Sequence, residues 1–510
     1  MTGTSGSQVI PLGGGEGLLP RLRAVALSNG ATELGVCSAD PFVEAKAAIE
    51  QRVAAGLNGP LKFTYANPAV ATDIRVSFPW AASIVVLGMP YLSQGESRPG
   101  GLGEVARFAT EDHYRALQLA LGAVEEELRL AGFKAVPVYD DNQLVDRAAA
   151  SRAGLGWWGR NTMIITPGVG PWMLLGSVVT DAPITFTSPM ARTCGTCFAC
   201  TPACPTGALD TPGILDGRRC LATWLQSPQP TPLHLRPLIG GRVYGCDDCL
   251  TACPPGIRYL EGEHDPKGYR PVDAGDARVN ISEMLRLTDE QLVERFPHFY
   301  LPKRDGKYLR RNLLVALANT SETAVELYSH LEDRSSVVRA AAAWGLGRLS
   351  PEGASTTLRE RIEAEGVLSV RDELYLALLS VEFSATYQEL LRVQAAVFLH
   401  EGVSFMALIG SHAVGEGNGE SDLDLQVGVD RPDPADPEAL GVPCHAVLRS
   451  VGDAEIWSWT TPEGLDVELA IVAAGDPGGP SPVQTGILKR GVVSLIDRVG
   501  DLATLRKLVR

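Results

Sequence analysis

No apolar run in this sequence is long enough to cross a bilayer. The longest, such as SIVVLGMPYL at residues 83–92, fall well short of the roughly 20 residues a spanning helix needs. The opening residues, MTGTSGSQVIPLGGGEGLLP, lack a basic stretch ahead of an apolar core, so no secretory signal is expected. Residues 1–17 read instead as a disordered, Gly/Ser-rich lead-in. Positive charge is also in short supply. A net charge of −15 argues against a general nucleic-acid coat, while leaving room for a local basic face. The expectation is a cytoplasmic protein away from membranes, with reduced thiols. What remains is ordinary globular composition, 45% hydrophobic and 21% charged, over 510 residues, a length for about three or four domains. The acid is unevenly spread. Residues 401–510 hold 8 Lys and Arg against 17 Asp and Glu, so the excess belongs mostly to a separate C-terminal module.

Eight of the ten cysteines fall in residues 191–260, among Pro and Gly and with little periodicity. That composition marks a small domain organised by something other than an apolar core. The order is Cys194-x2-Cys197-x2-Cys200-x3-Cys204-Pro205, then Cys220, then Cys246-x2-Cys249-x3-Cys253-Pro254. A CxxCxxCxxxCP run is a strong signal for 4Fe–4S ligation, and its fourth cysteine normally serves the other cluster of a pair. That rule assigns Cys194, Cys197, Cys200 and Cys253 to one cluster. Cys204, Cys246 and Cys249 form the second, with Cys220 as the available fourth ligand. Cys37 and Cys444 lie outside the array in apolar, strand-like settings and read as buried structural thiols.

Around this array the pattern is that of a multidomain α/β + α chain. Residues 18–190 alternate helical periodicity (113–131) with strand-like runs at 33–39, 83–89, 134–139 and 171–181, an α/β domain. Residues 191–260 are the cysteine domain. Residues 261–385 are expected to be helical. There YLRRNLLVALANT (308–320) and SVVRAAAAWGLGRL (336–349) echo each other, with SVRDELYLALLSV (369–381) weaker. An Arg near each helix start at this period predicts stacked helix pairs of the HEAT type. Residues 386–510 return to α/β, with strands expected at 404–410, 423–429, 444–451 and 465–472.

The residues from about Gly30 to 385 resemble the epoxyqueuosine reductase family, cobalamin-dependent iron–sulfur enzymes of tRNA modification. The likeness is carried by Gly56-Leu57-Asn58-Gly59, Asp73-x-Arg75, Asp146-Arg147, and Gly154-Leu155-Gly156-Trp157-Trp158-Gly159-Arg160-Asn161-Thr162. It continues through both cysteine runs, Arg219-Cys220, Tyr244-Gly245-Cys246, and Arg339-x3-Ala343-Trp344-x-Leu346-Gly347. Three departures stand out. Ala69-Val70-Ala71 follows Asn67-Pro68 where the family has an Arg; Gly-Arg160-Asn161 replaces Gly-Lys-Asn; Cys253-Pro254-Pro255-Gly256 replaces Cys-Pro-Trp-Asn.

The resemblance implies cobalamin in residues 18–190, two 4Fe–4S clusters, and reduction of epoxyqueuosine to queuosine at the tRNA wobble position. It also implies a GUN-type anticodon, a flavodoxin- or ferredoxin-type electron donor, and a monomer. The implied proton donor, seven residues before Arg147, is Asp140, with Asp141 as the fallback. Just past the strand at 134–139, Asp140 is expected at the carboxyl edge of the sheet, where ligands bind, with burial raising its pKa. Arg75, Gly154, Gly156, Trp157, Trp158, Arg160 and Asn161 are the candidate cobalamin contacts, through close backbone approach and aromatic packing. His113 reads as structural. The basic run Lys303-Arg304-Asp-Gly-Lys307-Tyr-Leu-Arg310-Arg311 is the candidate phosphate surface.

The tail contains GSHAVGEGNGESDLDL at 410–425. The carboxylates Asp422 and Asp424 share a strand face and suit Mg²⁺, while Gly410-Ser411 offers N–H and hydroxyl groups to a nucleotide. This resembles the minimal nucleotidyltransferase family over roughly 387–510. The implied third carboxylate is Asp466 or Glu468, with Glu468 preferred; His412 is a surface residue. Two other functions compete: a corrinoid iron–sulfur reductase of another substrate, such as a dehalogenase, or a nucleotidyltransferase or regulatory module that uses its clusters as scaffold.

Overall fold

A computed structural model describes residues 17–91, 102–261, 278–321, 323–400, 402–429, 438–451, 454–474 and 492–497. Residues 1–16, within the segment read as a lead-in, lie outside the described residues. Among the described residues, no helix is long and apolar enough to cross a membrane.

The chain divides into two compact units. The first comprises Met1–Ser97, Val105–Thr223 and Gly245–Ala277. Its sheet runs in the order Glu33–Ser38, Ser83–Pro90, Met173–Thr180, Ala135–Val138. Every neighbouring pair is antiparallel. The alternation of helix and strand is as expected, but an antiparallel sheet has no carboxyl edge common to its strands. The edge next to Asp140 is built from the C-terminal ends of two strands and the N-terminal ends of the other two.

One face of this sheet is covered by the helices Leu18–Ser28 and His113–Leu130. Leu117, Leu121, Val124 and Leu128, three and four residues apart, are fully buried there, each worth about 1.5–3 kcal/mol. The other face carries the helix Asp146–Arg152 together with Phe42, Ile74 and Cys37. Cys37 is buried as expected, and burial pushes its thiol up to about 12.

The cysteine-bearing chain is strapped onto this scaffold rather than cored. Thr187 Oγ1 donates to Ala153 O at 2.5 Å, and the Thr187 N–H donates to Val36 O. Gly217 N donates to Leu57 O, and Gly213 N to Arg160 O. The GlyLeuAsnGly loop at 56–59 thus anchors the segment ahead of Cys220.

The second unit comprises Arg98–Glu104, Trp224–Tyr244 and Arg278–Arg510. Residues 224–244, expected inside a cysteine domain at 191–260, therefore belong to the helical unit. Asn312 Nδ2 explains why: it donates to both Leu225 O and Val243 O. The helices Lys307–Thr320, Ser336–Leu349 and Leu368–Glu382 pack side by side in succession, with Val325–His330, Ala354–Ala364 and Ser384–Leu399 between and after them. The recurring arginines are struts. Arg310 ties to Asp289, Leu285 O and Leu287 O; Arg339 forms a two-pronged pair with Glu365; Arg371 donates to Glu365 O.

The expected phosphate surface is thereby corrected. Arg310 and Arg311 are 6% and 5% exposed. Arg311 donates to Trp224 O, Ser227 O and Gln229 O, and burial, with Arg236 nearby, lowers its pKa to about 10. Lys307 pairs with Asp305. Only Lys303 and Arg304 of that run stay exposed.

A six-stranded sheet completes the unit, in the order Val447–Val451, Ala454–Thr460, Asp466–Ala473, Leu423–Val429, Val403–Leu408, Val493–Asp497. Leu423–Val429 and Asp466–Ala473 are parallel, the other neighbours antiparallel. Two of these strands, Ala454–Thr460 and Val493–Asp497, were not anticipated. Cys444 is exposed, not buried; it precedes an edge strand whose residues 447–450 all face solvent.

Candidate functional site

The strand Ala135–Val138 ends two residues before Asp140, which has φ +46°. This left-handed turn suits Asp better than most side chains. Asp141 Oδ1 accepts from Gln143 N at 2.8 Å and closes the loop. The Asp140 carboxyl is shifted upward by burial and then by Asp141. Five residues on, the helix Asp146–Arg152 begins. Asp146 as a residue is half-buried, but its Oδ1 is enclosed and has no hydrogen-bond donor. Burial, reinforced by the charge of Asp140, pushes Asp146 to about 8. Both carboxyls are thus shifted upward, Asp146 far beyond the usual carboxylate range. Reading the sequence assigned Asp146 no role: an acid in a first helical turn is usually a solvated dipole partner, and only the enclosure distinguishes it.

Beside this loop stands Tyr91, 4% exposed. Its hydroxyl is held well up by burial and then by Asp247, Tyr114 and Cys249, with Arg147 opposing. Trp172 meets it edge-on at 6.0 Å and His113 lies at 6.1 Å. Arg107 sits 5.2 Å above the Trp172 ring, and its N–H donates to Asp247 Oδ2 at 2.7 Å. The charges of Arg147, on the helix Asp146–Arg152, and of Cys249, in the sulfur array, both act on this tyrosine.

The eight array thiols fall into two groups. Burial and then Cys194, Cys200 and Cys197 push Cys253 up to about 12. Burial and then Cys220, Cys246 and Cys204 raise Cys249 further. Charge from Cys194, Cys197 and Cys200 thus falls on Cys253, and charge from Cys204, Cys220 and Cys246 on Cys249. Cys253 also caps the helix Pro254–Leu260, whose first residue is Pro254, so the Cys-Pro pairing sets the chain direction away from the site. Mutually repelling thiols in an enclosed setting are a donor set for soft, positively charged iron. No three His, Cys, Asp or Glu among the described residues converge on a single ion. A four-iron cube, by contrast, takes one thiolate at each well-separated iron.

A family description, 4Fe-4S double cluster binding domain, matches residues 193–256, a span that contains all eight array cysteines. An epoxyqueuosine reductase of Bacillus cereus is 30% identical over 359 residues, which cover 67% of this chain and 92% of the relative. The chain belongs to the epoxyqueuosine reductase family. The Bacillus subtilis epoxyqueuosine reductase is 29% identical over 67% of this chain and 90% of its own length. An epoxyqueuosine reductase solved with an epoxyqueuosine-modified tRNA-Tyr stem loop superposes with a TM-score of 0.65 at 27% identity. That match covers 71% of this chain and 98% of that one. The Bacillus subtilis enzyme solved with its catalytic aspartate loop swung out of the active site gives 0.64 at 27% identity, covering 71% and 99%.

Within this family member, most candidate cobalamin contacts are engaged by the protein itself. A Cβ on Gly154 would lie 2.2 Å from Ser188 O, and one on Gly156 2.5 Å from Ile165 O, so these glycines admit neighbouring backbone, not a corrinoid. Trp157 is 7% exposed and lies beneath Arg192. Asn161 Nδ2 donates to Cys249 O, and Arg160 donates to Gly195 O; both tie the sulfur loops to the scaffold. Arg75 donates to Ala81 O and pairs with Asp40. Trp158 alone keeps an open face, at 48%. Enclosed groups left without a hydrogen-bond partner include Trp157 Nε1 and Arg160 Nε among these candidates, and Trp172 Nε1 and Ser177 Oγ outside them.

The C-terminal constellation does assemble in part. Asp424 and Glu468 are register partners on parallel strands, and a Cβ on Gly410 would lie against Asp424 Oδ2. Burial, then Glu468 and Asp422, push Asp424 to about 6. Arg449 Nη2 takes Glu468 at 2.5 Å, and Asp466 accepts from Thr460 Oγ1. Ser411 lies in a helix of only four residues, Gly410–Ala413. His412, expected at the surface, is 4% exposed, with Nε2 3.3 Å from Ser421 O.

Proposed function

We propose that this chain reduces epoxyqueuosine to queuosine at the wobble position of tRNAs with GUN-type anticodons. The observation that carries the reading is the eight-cysteine array of a double-cluster domain in a chain of the epoxyqueuosine reductase family, with the upshifted Asp140 just past the strand Ala135–Val138. The reaction consumes two electrons and two protons: both epoxide C–O bonds break, a C=C bond forms, and the oxygen leaves as water. Asp140 gives the proton to the departing oxygen. Its raised pKa lets it keep that proton further toward neutrality than an exposed aspartate. Asp146, neutral below about pH 8, spares Asp140 a second negative neighbour. Cobalamin and two 4Fe–4S clusters, when bound, supply the electron relay and the reducing cobalt centre. Cys194, Cys197, Cys200 and Cys253 would hold one cluster, and Cys204, Cys220, Cys246 and Cys249 the other. Trp158, with its open face, is the candidate left free to meet the corrinoid. A relative crystallised with a modified tRNA stem loop supports RNA as substrate, and its base must leave the stack for enzyme chemistry to reach it.

The deciding experiment is nucleoside mass spectrometry of tRNA from a deletion strain. Complementation uses wild type, Asp140→Asn, or a chain ending near residue 385. Epoxyqueuosine must accumulate in the deletion and persist with Asp140→Asn; if none accumulates, the reading fails.

For the remaining architecture we infer HEAT-like helix pairs before residue 385 and a nucleotidyltransferase-like module after it, in a cytoplasmic protein. The succession of strut arginines supports the first. The Gly410–Asp424–Glu468 arrangement supports the second as a fold. The Arg449 pair weighs toward an accessory role over magnesium–nucleotide chemistry, because it already neutralises the carboxylate that would be the third ligand.

A further inference from the structure

Within each cysteine run the ligands are spaced by two or three residues, close enough for local turns to place them. Cys220 and Cys246, assigned above to one cluster, are not. Residues 221–245 intervene, and no local turn sets the span. Both ends of that stretch are nevertheless stiff. Cys220 directly precedes the helix Leu221–Gln226, and Cys246 follows the strand Arg242–Tyr244 by two residues. Tyr244, 1% exposed, stacks on Phe299 at 3.9 Å.

One side chain joins the two ends. Asn312 Nδ2 donates to Leu225 O, near the end of that helix, at 2.8 Å and to Val243 O, within that strand, at 3.0 Å. Asn is a poor choice for a helix interior, yet Asn312 lies within Lys307–Thr320 at 2% exposure. Its oxygen is also taken: Oδ1 accepts from Arg311 Nε at 3.1 Å and from Nη2 at 2.9 Å. A guanidinium on the oxygen side and carbonyls on the nitrogen side admit one orientation of the amide. Arg311 donates in addition to Trp224 O and Ser227 O, which closes the carbonyl end of the same short helix.

We propose that Asn312, aimed by Arg311, is the positioning residue that fixes the span from Cys220 to Cys246 and so assembles the quartet Cys204, Cys220, Cys246 and Cys249. It touches neither thiol. It acts through two backbone carbonyls, each on a stiff element that adjoins a ligand, and a ligand set works only when held to within about 0.5 Å. The role rests on Cys220 being a ligand of that cluster. Asn319, on the same helix, supplies a control: its Nδ2 donates to Arg236 O and Gly240 O, in the middle of the stretch and away from both ligands.

The test measures iron, and its release to the chelator bathophenanthroline, in the full cluster-loaded chain under anaerobic conditions. Cys220→Ser should hold about four irons against about eight in wild type. If it holds as many as wild type, the assignment of Cys220 fails, whatever Asn312 does. Asn312→Asp keeps the shape and the Arg311 contacts but removes both donors. Half of its iron should be missing, or leave about ten-fold faster or more, with the other half unchanged. Added to Cys220→Ser, Asn312→Asp should leave the remaining iron as it was, which places both residues on one cluster. Asn319→Asp should lower the urea midpoint and leave iron release as in wild type. Wild-type release from Asn312→Asp overturns the proposal, as does equal acceleration of both halves or an equal effect of Asn319→Asp. Should Asn312→Asp fail to fold, Asn312→Ser, shorter and with a single donor, is held to the same outcomes.

Discussion

The acid loop of the first unit and the acidic sheet face of the second both gather titratable groups at strand ends, and they resolve the crowding differently. In the first, Asp146 is enclosed with an unbonded oxygen and Asp140 sits in a left-handed turn. Arg147 and a backbone hydrogen bond offset only part of the burial of Asp146, and Asp141 adds to that of Asp140, so both carboxyls are shifted upward. In the second, Arg449 takes Glu468 and Thr460 takes Asp466, leaving Asp424 at about 6. Acids left without a cation at hydrogen-bond distance shift upward and are candidates for proton transfer; paired acids in a sheet are held as structure.

The sharpest way to break this contrast is Asp140→Asn. Turnover of epoxyqueuosine should fall by about 10²–10⁴-fold with iron content intact, read by mass spectrometry of product nucleosides. A fall of less than ten-fold would leave Asp141 or Asp146 as the donor. Next in size is the sulfur array. Cys249→Ser and Cys253→Ser should each remove one cluster and leave the other, so bound iron drops from about eight to about four per chain. Loss of all iron from either variant would show that the quartets do not assemble independently.

Asp146→Asn probes the proton store itself. In the unfolded chain Asp146 releases its proton near 3.8, but in the folded chain only near 8. Its contribution to stability is therefore complete below about pH 4 and is lost as pH rises through 8. The Asn variant should lack that loss, gaining about 2–5 kcal/mol over wild type at pH 9 relative to pH 4. The measurement is the urea midpoint against pH, and parallel profiles would sink the assignment. The smallest effect is expected in the second unit. Asp422→Ala with Asp424→Ala should leave queuosine formation unchanged. Arg449→Ala should raise the Asp424 pKa above about 6 by removing a favourable charge, visible by NMR titration of the carboxyl carbon.

How much of this could be read from the residues alone depended on the range over which each feature is specified. The cysteine spacings were legible because three ligands lie within seven residues of chain, and local turns bring them together with little help from the rest. The helices at 113–131 and 308–349 were legible from periodicity for the same reason. The glycines at 154 and 156 were misread. A close backbone approach was rightly expected, but what approaches is the carbonyl of Ser188 or Ile165, and that partner is a tertiary matter. Arg310 and Arg311 looked like a solvated basic run, yet their heptad-like surroundings of Leu and Ala placed them inward, where backbone carbonyls from residues 224–229 and 285–287 receive them.

By itself, then, the sequence determined the double-cluster cysteine array and the family, because these rest on short spacings of residues along the chain. Only the tertiary structure decided that the sheet is antiparallel, that Asp146 joins Asp140, and that Arg449 closes off Glu468. Those outcomes turn on which side chains lose water and which find a partner across long stretches of chain, and burial and pairing are properties of neighbours, not of residue order.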